Sequence, residues 1–203
     1  MFIDLPARAH DTLTEFHVFI EQYEAIEGAI WFHLCTANLW ANGSSAVDGI
    51  LYRHVEKALA YGAQTADPNL KRRVYGTMAT YLTNIGEYES ACDYLELAFF
   101  YAQLVVEQEP KQEFLIYSTV IDLIYLNTML KRYHIAKSVN AFVYDKMELL
   151  SGYQKGLVIQ NFGYLLMQQG QYEQAIEEFQ KLAVYTDEFK DTSLKAIALS
   201  IYV

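Results

Sequence analysis

The sequence predicts an all-α protein built from antiparallel helix pairs, and three observations carry that reading. Apolar residues recur at intervals of three and four along most of the chain. The interrupting residues are few, 3 prolines and 10 glycines in 203 residues. No alternating apolar–polar run is bounded by hairpin turns, so no sheet is expected. Connections between the periodic stretches are short, which makes neighbouring helices pack antiparallel.

Helices are expected near 11–26, 28–41, 45–64, 70–84, 87–107, 113–130, 133–149, 153–168, 171–185 and 191–203. Asn42-Gly43-Ser44 separates the second from the third, and Ser45 with Asp48 offers a capping box for the latter. Asp67-Pro68-Asn69 reads as the next break. Gly86, Pro110, Lys131-Arg132, Ser151-Gly152 and Gly170 supply the later ones. Between Glu87 and Gln108, Tyr88, Ala91, Leu95, Ala98, Ala102 and Val105 are spaced 3, 4, 3, 4 and 3, which places all six on one helix face. Tyr172, Ala175, Ile176, Phe179, Leu182 and Ala183 repeat that layout. The most apolar run, Phe114 to Leu130, contains Asp122 as its only charge; it is short for a membrane span and reads as a buried helix.

Composition narrows the function classes. Apolar residues make up 53% and charged residues 20%, a globular balance. The formal net charge of −10, with Lys71-Arg72-Arg73 as the one basic cluster, disfavours nucleic acid and anionic membranes as partners. Cys35 and Cys92 form no CxxC and no zinc-ligand pattern, and both read as small core residues in a reduced compartment. Met1 to His10 lacks the layout of a signal peptide, so a cytoplasmic location is expected. Histidines 10, 17, 33, 54 and 134 share no ligand spacing, and no nucleophile elbow, Walker loop or paired-glycine fingerprint occurs. No enzyme activity, catalytic residue, cofactor or metal is expected.

The helix pairs repeat. From Ile159, the residues Phe162, Gly163, Leu166, Gly170, Tyr172, Ala175 and Phe179 occupy fixed slots; from Tyr75, Met78, Ala79, Leu82, Gly86, Tyr88, Ala91 and Leu95 occupy the same ones. A third copy from Val120 keeps Leu123, Tyr133 and Ala136 but places Ile124 in the small slot and Asn127 and Asn140 in apolar slots. A fourth from Trp31 has Leu34, Cys35, Val47 and Leu51. The pattern resembles the tetratricopeptide repeat (TPR), which implies a right-handed superhelix of antiparallel helix pairs, a TPR-like α-solenoid. In that arrangement the small residue (Gly163, Ala79, Cys35) sits where the helices of a pair cross. The starts at 31, 75, 120 and 159 are 44, 45 and 39 apart, longer than the family period of about 34. Extra length is expected in the second helices and connections, an arrangement similar to bacterial regulatory TPR arrays that sense peptides.

The resemblance implies one helical-repeat domain over 1–203, with repeats near 28–64, 72–107, 117–149 and 156–189. A partial one at 193–203 suggests a fragment of a longer protein or an end covered by a second copy. It also implies that the first helix of each pair lines a concave groove. Carried over, the groove shows Phe32, Thr36 and Trp40; Arg73, Thr77, Thr80 and Asn84; Asp122, Tyr125 and Met129; and Gln160, Asn161, Tyr164 and Gln168. The peptide- or protein-binding set is Arg73, Thr80, Asn84, Asp122, Tyr125, Gln160, Asn161, Tyr164 and Gln168. Asn and Gln can pair with a peptide backbone, and Tyr offers contact area at low entropic cost. The Lys and Asn clamp of chaperone-tail binders is absent from the matching slots, which hold Gly76 and Thr80, Ile121 and Tyr125, and Gln160 and Tyr164. The expected function is a peptide- or protein-binding module of a bacterial signalling or regulatory protein. Its rivals are an assembly or homodimerisation scaffold and a sensor segment controlling a fused output domain.

Overall fold

The computed structural model describes residues 25–41 and 48–189, together with Glu15 and Val18. Eight α-helices span the described residues, which include no strand: α1 (Ile26–Ala41), α2 (Asp48–Gly62), α3 (Pro68–Asn84), α4 (Tyr88–Gln108), α5 (Phe114–Met129), α6 (Tyr133–Tyr144), α7 (Gly152–Gln168) and α8 (Tyr172–Phe189). They form an all-α helical repeat of the pairs α1/α2, α3/α4, α5/α6 and α7/α8, each helix packed on its successor. The helix expected at 191–203 lies outside the described residues, as does that at 11–26 apart from the residues named, of which Glu15 and Val18 are helical.

Three turns show the repeat at atomic scale. Gly86, Lys131 and Gly170 each stand eleven residues after a repeat start (75, 120 and 159), and each has positive φ, at 84°, 57° and 72°. The hydrogen bonds match as well. The N–H of Glu87 donates to Leu82 O, that of Arg132 to Asn127 O and that of Gln171 to Leu166 O, at 2.9, 2.7 and 2.9 Å. Those of Gly86, Lys131 and Gly170 donate to Thr83, Thr128 and Met167 O. Each turn is thus a Schellman closure of the first helix, and glycine suits its left-handed residue because no Cβ is present to clash. Lys131 takes that conformation with a side chain.

The helix crossings explain the small slots. A Cβ on Gly163 would lie 2.7 Å from the ring of Phe179, which is itself only 1% exposed. Only glycine fits there. Ala79, Ala91 and Cys92 form the matching contact between α3 and α4, packed with Leu95 and Leu126. The apolar run of α5 is enclosed by α4, α6 and α7, with Val120, Ile121, Ile124 and Leu126 buried. No helix among the described residues is long and apolar enough to cross a membrane.

Three expectations are corrected. Pro68 does not delay α3 to residue 70: it occupies the first turn, where its missing N–H costs nothing, and the Asp67 carboxylate accepts the N–H of Asn69 at 2.7 Å. The helix expected at 133–149 stops at Tyr144, followed by a 3-10 turn at Met147–Leu149. That break lets Leu150 turn into the core beside Tyr117, Val120, Val143 and Val158. The added length of this repeat therefore lies in the connection, whereas in the preceding one it lies in α4, 21 residues long, and the 3-10 turn Pro110–Gln112. Cys35 is exposed and is not the small residue of a crossing. In α1 the buried stripe is Ile30, His33, Leu34 and Ala37, so the first repeat begins one residue earlier than Trp31.

Candidate ligand groove

The first helices of successive pairs do not stack evenly. Helix α5 packs directly on α7, whereas α3 and α5 scarcely touch and are joined through α4. The gap between them is a recess of about 250 Å³. One wall is the stripe Arg73, Gly76, Thr77 and Thr80 of α3, which share a face by their i, i+3, i+4, i+7 spacing. The other is Ser118, Thr119 and Asp122 of α5, and Trp31 and Cys35 of α1 close one end. The floor is Leu95 and Ala98 of α4. A smaller cavity of about 130 Å³ continues past Thr80, Leu95 and Asp122 towards Tyr125, Leu157 and Asn161.

The recess is chemically uneven along its length. Arg73 places its guanidinium over the Trp31 ring, 4.8 Å from the centroid, a contact that holds the cation while leaving N–H edges open. Arg72 lies partly buried beside it and directs Nε and Nη2 to the Asn69 side-chain oxygen at 3.2 and 3.0 Å. Burial, with the neighbouring Arg73 charge second, lowers Arg72 to about 10, so it stays cationic at neutral pH. Lys71 leaves the recess and sits over the Tyr101 ring. At the centre, Asp122 reaches solvent, yet protein surrounds it on the other sides; that desolvation pushes its carboxyl up to about 6. The contrast describes a recessed carboxyl rather than an occluded one. The Tyr125 hydroxyl is raised by burial first and by Tyr88 second. Among the described residues, no ion pair involves Arg72, Arg73 or Asp122.

Of the residues singled out in the sequence, Arg73, Thr80, Asp122, Tyr125 and Asn161 line the recess and its continuation, and so does Thr77. Asn161 is buried there, and its Nδ2 donates to the Ile121 carbonyl at 3.1 Å, tying α7 to α5. Tyr164 is half-buried against the Phe179 ring, centroids 5.6 Å apart. Gln160 is half-buried, with Oε1 lacking a partner among the described residues. Asn84, Met129 and Gln168 are exposed near helix ends and do not line the recess.

In α1 the carry-over is corrected: Phe32 is buried and Thr36 is a buried hydroxyl bonded to Phe32 O, so neither faces the groove. The side chain of Trp40 lies outside the described residues. The one-residue change of register in α1 brings Trp31 and Cys35 to the recess instead. Sequence reasoning also missed Arg72, Ser118 and the floor residues Leu95 and Ala98. Those two lie on the core face of α4, as their spacing indicates, and stay buried while bordering the recess where the first helices part.

Among the described residues no group of histidine, cysteine and carboxylate side chains could hold a metal ion. No curated protein matches the chain. The tetratricopeptide-repeat family profile matches residues 158–183, which fall on α7 and α8 and contain the Gly163–Phe179 crossing and the Gly170 turn. The chain therefore carries a tetratricopeptide repeat within an all-α helical-repeat fold, a kind of unit that serves protein–protein interaction.

Proposed function

We propose that the protein is a binding module that holds a peptide or protein segment in the recess between α3 and α5. The observation that carries this reading is the parting of those helices, which opens a recess between polar and charged walls over the buried side chains of Leu95 and Ala98. Concave recesses with convergent polar groups are the usual place for a ligand. A role in a regulatory or signalling protein of bacterial type is supported by the long second helix α4 and the stretched repeat period. Selection from a displayed dodecapeptide library tests the reading, with Thr80→Trp as the counter-target. The expected result is a set of peptides that bind the natural protein and lose binding when tryptophan fills the recess. Peptides that bind both equally would sink the groove reading.

A second reading, self-assembly, is favoured by the outer face of α8, where Ile176 and Val184 are 43% and 64% exposed. A concentration-dependent mass abolished by Val184→Glu would support it; a monomer at all concentrations would rule it out.

A further inference from the structure

The recess joins charges of both signs that form no ion pair among the described residues. From this arrangement we infer that the ligand is a peptide segment of mixed charge, an acidic side chain meeting Arg72 and Arg73 and a basic side chain meeting Asp122. The inference rests on the groove reading and specifies the chemistry of its occupant.

Charged groups in a concave, partly desolvated site carry a free-energy cost unless a counter-charge arrives, and a pair formed there is screened less than one on the open surface. Arg72 is the clearest case. It is partly buried beside a second guanidinium, and its only hydrogen-bond acceptor among the described residues is the neutral Asn69 side chain. Arg73 is exposed and held over Trp31, and a guanidinium stacked on a ring can still grip a carboxylate through two parallel hydrogen bonds. A plain anion would satisfy these two but would meet Asp122 on the opposite wall of the same recess. A polyanion such as a nucleic acid is excluded on the same ground and by the net charge of −10. A plain cation would meet the arginines. Only a ligand that carries both signs in the right order satisfies the recess. The continuation past Asp122 to Leu157 and Asn161 gives room for chain beyond the charged contacts, which suits a peptide segment better than a single zwitterion.

The test sequences the dodecapeptides that the natural protein selects and measures the leading ones against two exposed-site variants, Arg73→Glu and Asp122→Lys, with circular dichroism to confirm that both fold. We expect an acidic and a basic residue at a fixed separation. Each variant should weaken binding about tenfold or more, the scale of one charge-assisted contact. Replacing the peptide's acidic residue by Lys should restore binding to Arg73→Glu and not to Asp122→Lys. Selected peptides that are blocked by Thr80→Trp yet show no charge pattern and no response to either variant would overturn this inference while leaving the groove in place. Selected peptides indifferent to Thr80→Trp, or no selected peptide at all, would overturn both.

Discussion

The two junctions between first helices are built from the same repeat and end differently. Between α5 and α7 the helices meet, the Asn161 amide bridges to Ile121 O, and immediately behind it Gly163 admits the Phe179 ring. Between α3 and α5 they part, and the same helix faces that close one junction line a recess in the other. Matched positions show it. Two residues after the repeat start lie Thr77, Asp122 and Asn161; the first two face open space and the third is a buried tie. A slot in a helical repeat thus has no fixed role. Whether it packs or binds is decided by how closely the next pair stacks.

Substitutions should break this comparison unequally. The largest effect is expected at the α7/α8 crossing that backs the closed junction. Gly163→Leu drives a side chain into a ring that is almost wholly buried, and should lower stability by about 3 kcal/mol or more. Thr80→Leu, exposed in the open junction, should change it by less than about 0.5 kcal/mol. Thermal melts of the pair check both. Next, Asn161→Ala leaves the Ile121 carbonyl without its partner and should cost about 1–3 kcal/mol in urea unfolding. A negligible loss at Asn161, no greater than at Thr80, would erase the distinction between the junctions.

The turns give a smaller pair of opposite sign. Gly170→Ala places a Cβ on a left-handed residue and should destabilise by about 1–2 kcal/mol, whereas Lys131→Gly removes one and should stabilise by about 0.5–1 kcal/mol. The smallest effect belongs to Asp122. Its folded value of about 6 lies above the ordinary carboxylate value of about 3.9, so the folded state holds the proton more tightly. Ionisation then opposes folding as pH rises through that window. Asp122→Asn should stabilise the protein at pH 7 by about 1 kcal/mol or less, because solvent reaches the group, and the gain should vanish below about pH 4. A gain that persists at low pH would place its origin elsewhere.

Much of the fold was legible in the sequence because the turns and crossings demand particular residues. Gly163 and Gly170 stand where no other residue fits without cost, and their spacing from Ile159 recurs from Tyr75. Val120 could be aligned too, although Lys131 replaces the turn glycine. The register of α1 was harder to read. Apolar residues cover most of its surface, so a start at Trp31 satisfies the three–four spacing as well as the observed start at Ile30. The end of α6 escaped for a different reason: its break serves Leu150, whose contacts with Tyr117 and Val158 are distant in sequence. The polar groove faces of α3 and α5 followed from the resemblance to the tetratricopeptide repeat. Their separation did not, because it depends on how α4 holds the two helices apart, and no local pattern encodes that distance.

The most direct test of the central claim is to titrate the isotope-labelled protein with a selected dodecapeptide and follow backbone amide shifts. A ligand held where the first helices part predicts changes concentrated at Thr77, Thr80, Ser118, Asp122 and Tyr125, with α8 unaffected. Shifts confined to the outer faces of α4, α6 and α8, with those five residues unmoved, would contradict it.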